Sequence, residues 1–160
     1  MKKMKRLVAL VLAGMLALVM FTACDGTGSD DIATAKQMKE IFGAYLQEAI
    51  PKASMGKDSA LQDILAEQTQ LHWSKKSAAF KVDTEEGTAV IVVIGTYDRS
   101  YLFLLKTEEG KKKIVETFRN AADKGAQLYK TSVTKTEVYT AARGNEVIVS
   151  YVMLFPKTVE

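Results

Sequence analysis

Few side chains in this sequence of 160 residues carry strong chemistry, and those few are scattered. There is one cysteine, Cys24, one histidine, His72, and one tryptophan, Trp73. A structural zinc site takes four Cys or His ligands and a catalytic one at least three protein ligands, so no metal set of that kind can be built and no cofactor is expected. His72-Trp73 pairs an imidazole with an indole, a combination that stacks sugars or caps a pocket, and equally one that seals the edge of a core. Lys111-Lys112-Lys113 falls in the first turns of an expected helix, where cations work against the helix dipole. Its functional reading is a contact with anionic lipid headgroups or wall polymers, with Lys75 and Lys76 as company; the alternative is a solvated helix face.

Catalytic patterns are nearly absent. Ser54-Met55-Gly56-Lys57 matches the S-x-x-K pattern of serine enzymes, yet with eight Ser and 18 Lys in the chain about one match arises by chance. Lys130-Thr131-Ser132 is a fainter echo of the accompanying K-T-G, and no S-D-N occurs. Glu85-Glu86 and Glu108-Glu109 could serve glycoside hydrolysis in principle, but each falls in an expected turn or helix start, where acids are solvated or favoured by the dipole. No G-x-S-x-G, P-loop or Rossmann fingerprint is present. A non-enzymatic role is the expectation, with no catalytic residue assigned.

Cys24 is the exception, because its surroundings say what it is for. Lys2, Lys3, Lys5 and Arg6 precede an unbroken apolar run from Leu7 to Phe21, the charged and apolar regions of a secretory signal. The run closes on Phe21-Thr22-Ala23-Cys24, small residues before a cysteine, which resembles a lipobox with Phe21 where Leu is usual. Cleavage between Ala23 and Cys24 would free the cysteine for a diacylglyceryl group. A lone exported cysteine has no intramolecular disulfide partner, which favours lipidation over an ordinary signal. A spanning anchor is the other competitor, since the run is close to the roughly 18 to 20 residues that cross a bilayer. Burying acyl chain contributes about 0.8 kcal/mol per methylene, so two chains hold a protein that one would not. The expected location is the extracytoplasmic face of the cell membrane, with membrane contact through lipid on Cys24.

Removing residues 1 to 23 also changes the electrostatics. The precursor carries +3, but four of its 22 basic residues leave with the signal, so 18 remain against 19 acids and the net charge is −1. No positive excess is left to drive nucleic-acid binding.

The elements that must position any site follow from periodicity. Residues 24–31 read as a polar, glycine-containing tether, and 32–160 as a single domain. Asp30 or Asp31 can cap a helix carrying Ala35, Met38, Ile41, Phe42, Tyr45, Leu46, Ala49 and Ile50, stopped by Pro51. Ser59 with Gln62 suggests a capping box for a second helix bearing Leu61, Ile64, Leu65 and Leu71. Phe80 and Val82 alternate as an edge strand, and 89–94 with 101–105 read as a hairpin of interior strands. Thr107 caps a third helix, its stripe of Ile114, Val115, Phe118, Ala121 and Ala122 ending at Gly125. Residues 133–141 and 146–154 flank Arg143-Gly144-Asn145 as a second hairpin. The expected fold is α+β, a mainly antiparallel five-stranded sheet with about three helices in the order α-α-β-β-β-α-β-β.

Several of these strands are apolar on both sides, so both sheet faces must be covered. Either the early helices and the late helix take opposite faces, or a partner or second copy of the chain packs there, giving a homo-oligomer. The first is favoured, because three helices serve two faces. The lipobox start, the element order and the closing "RGNEVIVSYVML" resemble a group of small, functionally uncharacterised lipoproteins of Gram-positive anaerobes, over roughly residues 88 to 154. That resemblance implies envelope anchoring and brings no catalytic residues. The functional expectation is a tethered interaction domain for an unknown envelope protein or polymer. The alternative is a small-ligand binder whose pocket is bordered by Trp73 and tyrosines such as Tyr97 or Tyr101.

Overall fold

The computed structural model describes residues 29–72, 78–97, 99–144 and 146–158. Cys24, Ala23, the signal and most of the expected tether lie outside the described residues. The first helix, α1 (Ser29–Ala49), takes in the last three residues read as tether. Its Ala35, Met38, Phe42, Leu46 and Ala49 are buried at the three- and four-residue spacing of one helix face.

After Pro51 the chain passes the sheet edge as a two-residue strand, β1 (Ser54–Met55), and enters α2 (Ser59–Leu71). Asp58, not Ser59, caps α2, its carboxylate accepting from the Leu61 amide at 3.0 Å. Gln62 does not close a capping box. Its amide instead donates to the Glu137 carboxylate at 3.1 Å. The hairpin β2 (Ala78–Asp83) and β3 (Gly87–Tyr97) follows, then a short helix α3 (Tyr101–Leu105) and the long α4 (Glu108–Tyr129). The closing hairpin is β4 (Lys135–Arg143) and β5 (Glu146–Pro156), with Gly144 at a φ of 61° in its turn.

The strands lie in the order β1-β4-β5-β3-β2, antiparallel except for β1 beside β4. The α+β class and the mainly antiparallel, five-stranded sheet are as the sequence predicts. One strand is not. Residues 101–105 form α3, and the fifth place is filled by Ser54–Met55. A run of four apolar residues fits a strand or a helical turn equally well, and here Lys106 and the cap Thr107 follow at once, leaving no length for a strand to return along β3.

Strand β5 is the centre of the fold. Every residue from Val147 to Phe155 is buried, so it has no wet side. Val147, Val149, Tyr151, Met153 and Phe155 pack with α1 and α4, while Val152 and Leu154 pack under Leu61, Ile64 and Leu65 of α2. Both faces are therefore covered by this chain's own helices. The division is not early against late, however: α1 joins α4, and α2 stands alone opposite. The edge strand β1 makes this possible, since pairing Ser54 with Lys135 carries the chain from one face round to the other.

Gly125 does not end α4, which continues to Tyr129 and closes at Lys130 with a φ of 60°. The glycine is needed for contact, because a Cβ there would lie 2.1 Å from Cζ of Phe155. Gly125→Ala should accordingly destabilise the fold by about 1–3 kcal/mol in denaturant unfolding, despite alanine's better helix propensity, and Phe155→Leu should recover part of the loss. A second expectation concerns Glu137, a buried carboxylate of β4 that accepts from the Gly56 amide at 2.9 Å, the Asp58 amide at 3.4 Å and Gln62. Glu137→Ala strips the partner from three donors at the α2 entry and should lower unfolding free energy by about 2–4 kcal/mol.

Candidate functional site

The residues singled out by type do not converge. His72 closes α2 on one side of the sheet, its Nδ1 2.8 Å from the Gln68 carbonyl and its ring stacked on Phe80 at 4.4 Å. That is the packing of a core edge. Trp73, Lys75 and Lys76 lie outside the described residues. Lys111, Lys112 and Lys113 stand on α4, on the opposite side of the sheet. Tyr97 also belongs to the α1 and α4 side, packed on Phe42 at 6.2 Å, so His72 and Tyr97 do not share a pocket.

The lysine run is largely resolved by local pairing. Thr107 caps α4 by accepting from the Gly110 amide at 3.0 Å, and Glu108 and Glu109 supply negative charge to the first turn. Lys111 meets Glu48 of α1 at 3.2 Å and lies 5.9 Å over the Tyr45 ring. The bond to Glu48 raises the Lys111 pKa above its ordinary value. Lys113 meets Glu109 one turn back at 3.5 Å. Lys111 and Lys112 line an open groove of about 780 Å³ between α1 and α4, shared with Glu48, Glu108, Glu116 and Arg119. Charges of both signs in one groove cancel much of its field. It is no dedicated anion site.

The S-x-x-K serine is equally committed. Ser54 sits in β1 paired with Lys135, and Lys57 is exposed. Lys135 bridges Asp58 at 3.0 Å and Glu86 at 2.8 Å, tying the α2 entry to the β2–β3 turn. Burial acts to raise the Asp58 pKa, but the Leu61 amide and the Lys135 ammonium outweigh it and hold the carboxyl below its ordinary value. Among the described residues no three His, Cys, Asp or Glu side chains gather where a metal could sit.

Two features escaped the sequence reading. One is α3, a single turn that presents Phe103 at 78 % exposure, Leu104 at 53 % and Tyr101 at 42 %. Its base is firmly held. Leu105 is buried, its carbonyl accepts from the Tyr45 hydroxyl at 2.7 Å, and the Leu104 carbonyl accepts from the Thr107 hydroxyl at 2.7 Å. Tyr101 packs on Tyr97 at 4.7 Å between ring centres. The legible signal was Thr107, since an N-cap directly after an apolar run turns the chain away from β3.

The other feature is Glu67, only 6 % exposed, whose Oε2 has no hydrogen-bond partner among the described residues. On α2 the sheet is met by Leu61, Ile64 and Leu65 and by the bonds of Gln62, Thr69 and Gln70. A step of 100° per residue puts Glu67 opposite them, so its burial does not come from the sheet. No periodicity could foretell an enclosed carboxyl on that side. Desolvation raises its pKa from 4.5 to about 7.

Comparison with protein-family models, curated proteins and solved structures finds no match to this chain.

The Glu67 shift fixes the sign of a pH effect. The folded state binds the proton more tightly than the unfolded one, so the charged carboxylate costs stability above about pH 7. That cost disappears as pH falls from 7 towards 4.5. Glu67→Gln in the full chain should therefore raise the thermal midpoint at pH 8 and change it little at pH 4.5. A flat difference between the two pH values would contradict this.

Proposed function

We propose that this chain is a membrane-anchored envelope lipoprotein whose folded domain is a non-catalytic interaction module for an envelope protein or wall polymer. The observation that carries the reading is the position of Cys24. It is the only cysteine, it follows a basic and apolar export pattern ending in small residues, and five residues later a packed helix begins. A lipid on Cys24 would hold the domain at the membrane surface while leaving its whole exterior to a partner. The resemblance to small lipoproteins of Gram-positive anaerobes points the same way.

What the domain offers a partner is surface. Some of its charged side chains link elements, as in Lys135 with Asp58 and Glu86 or Lys111 with Glu48. No helix among the described residues is long and apolar enough to cross a membrane. The ligand-binding alternative is supported less well. The apolar groove between α4 and β3, bordered by Val90, Val92, Leu128 and Phe155, has a volume of about 200 Å³, below the roughly 300–1,000 Å³ of small-molecule sites, and the groove of about 780 Å³ at Lys111 is of that size but open and lined mostly by charged side chains rather than apolar ones.

Two measurements test the proposal. Mass spectrometry of the protein from its native host should show residues 1–23 removed and a diacylglyceryl group on Cys24, and Cys24→Ala should leave the chain unlipidated. An unmodified Cys24 in the wild-type protein would sink the anchor. Crosslinking on intact cells, followed by purification through the domain, should then return the same envelope component from independent preparations.

A further inference from the structure

We propose that this chain pairs with a second copy of itself along β2, so that the two sheets continue into one another. The inference goes beyond the anchored-lipoprotein reading and does not depend on it. It begins at the two rims of the sheet. One is β1, only two residues long, and the other is β2, with six. A short rim offers little to pair with, whereas β2 runs opposite β3 from Ala78 to Asp83 without a bulge or a proline. Among the described residues no strand lies on its outer side. Such an edge is a template for another strand.

The ladder fixes which backbone groups are on offer. The Thr84 amide donates to the Gly87 carbonyl at 2.7 Å, so by alternation residues 82, 80 and 78 turn their amides and carbonyls towards β3. Those of Ala79, Lys81 and Asp83 face outward. Two copies related by a two-fold axis normal to the sheet pair antiparallel, and their outward groups meet only when the axis passes beside a residue rather than between two.

Charge then chooses the register, because residues directly opposite share a face of the sheet. Centred on Lys81, two ammonium groups oppose each other; centred on Asp83, two carboxylates do. Centred on Phe80, Lys81 faces Ala79 and finds no acid. Centred on Val82, Lys81 of each copy faces Asp83 of the other, and opposite charges meet twice. Both side chains are exposed. The same register serves the other face. Val82 is half-buried opposite Ala89, which is opposite Leu154, all on the α2 side. With the axis at Val82, that apolar row continues into Val82, Ala89 and Leu154 of the second copy, and the open flank of Val82 leaves water. Lys81 is the one basic side chain on this edge, of the kind that guards edges, and here it bars the wrong registers and closes the right one.

The test uses the full chain with Cys24→Ala, so that Val82→Cys is the one thiol and no lipid is involved. Opposite residues at a non-hydrogen-bonded position lie about 4.5 Å apart between Cα atoms, within disulfide reach. Mild oxidation in host cells and of the purified chain should therefore give a dimer bridged at 82, while Leu128→Cys, on α4, should give little. Without the added thiol, sedimentation in mild detergent should show a reversible dimer. Lys81→Asp should raise its dissociation constant roughly tenfold or more, since it sets carboxylates against carboxylates. Adding Asp83→Lys to that variant exchanges the charges and should restore the dimer. A monomer at all concentrations, bridging at 128 as strong as at 82, or a dimer indifferent to Lys81→Asp overturns the proposal. So does a double variant that stays apart, or a bridge from 82 to another protein in place of a second copy.

Discussion

A strand with no solvent-facing side is the constraint from which the rest of this fold follows. From Val147 to Phe155 β5 is buried without interruption, so its two rows of side chains each need a cover. On the α2 side the row contains one hydroxyl, Ser150, 2.6 Å from Thr69 Oγ1, which in turn donates to the Leu65 carbonyl. Thr69 has only one hydrogen, so Ser150 is the donor between them. A polar pair inside an apolar layer is tolerated because each hydroxyl is satisfied, and its fixed geometry sets where α2 crosses the sheet.

Covering two faces with one chain demands a crossing at the edge, and that crossing is where the buried charge is found. Glu137 points from β4 towards the start of α2 and accepts two backbone amides of the connection, with Gln62 behind them. Amides at a helix entry are short of partners, and a carboxylate suits both their hydrogens and the dipole behind them. Lys135, two residues earlier on the same strand, reaches Asp58 and Glu86. One strand of nine residues thus pins the cap of α2 and the tip of the neighbouring hairpin.

Much of this was legible in the sequence, wherever a pattern is long. The stripe of α1, the core of α2 and the closing hairpin each repeat over enough residues for the period to be plain. The failures are local and have local causes. Leu102 to Leu105 is too short to show a period, so the following cap was the better guide. Gly125 reads as a helix end by type, but its reason is Phe155, thirty residues on. Ser54–Met55 shows no strand pattern at all, because two paired residues owe their conformation to the edge of β4. The candidate site was less legible still. Lys111 was visible as an oddity at a helix start, but its partner Glu48 is on another element, and sequence spacing says nothing of such pairs.

The central place of β5 has a kinetic side. The strand at the middle of the sheet lies at residues 146–156, and its partner strand β3 lies some sixty residues earlier. The helices α1 and α2 come early in the chain, but both pack against the late hairpin of β4 and β5. Folding is therefore dominated by distant contacts and cannot complete segment by segment from the front. Were the chain exported as proposed, N-terminus first through a membrane channel, this would be an advantage, because it would remain extensible until nearly all of it had passed.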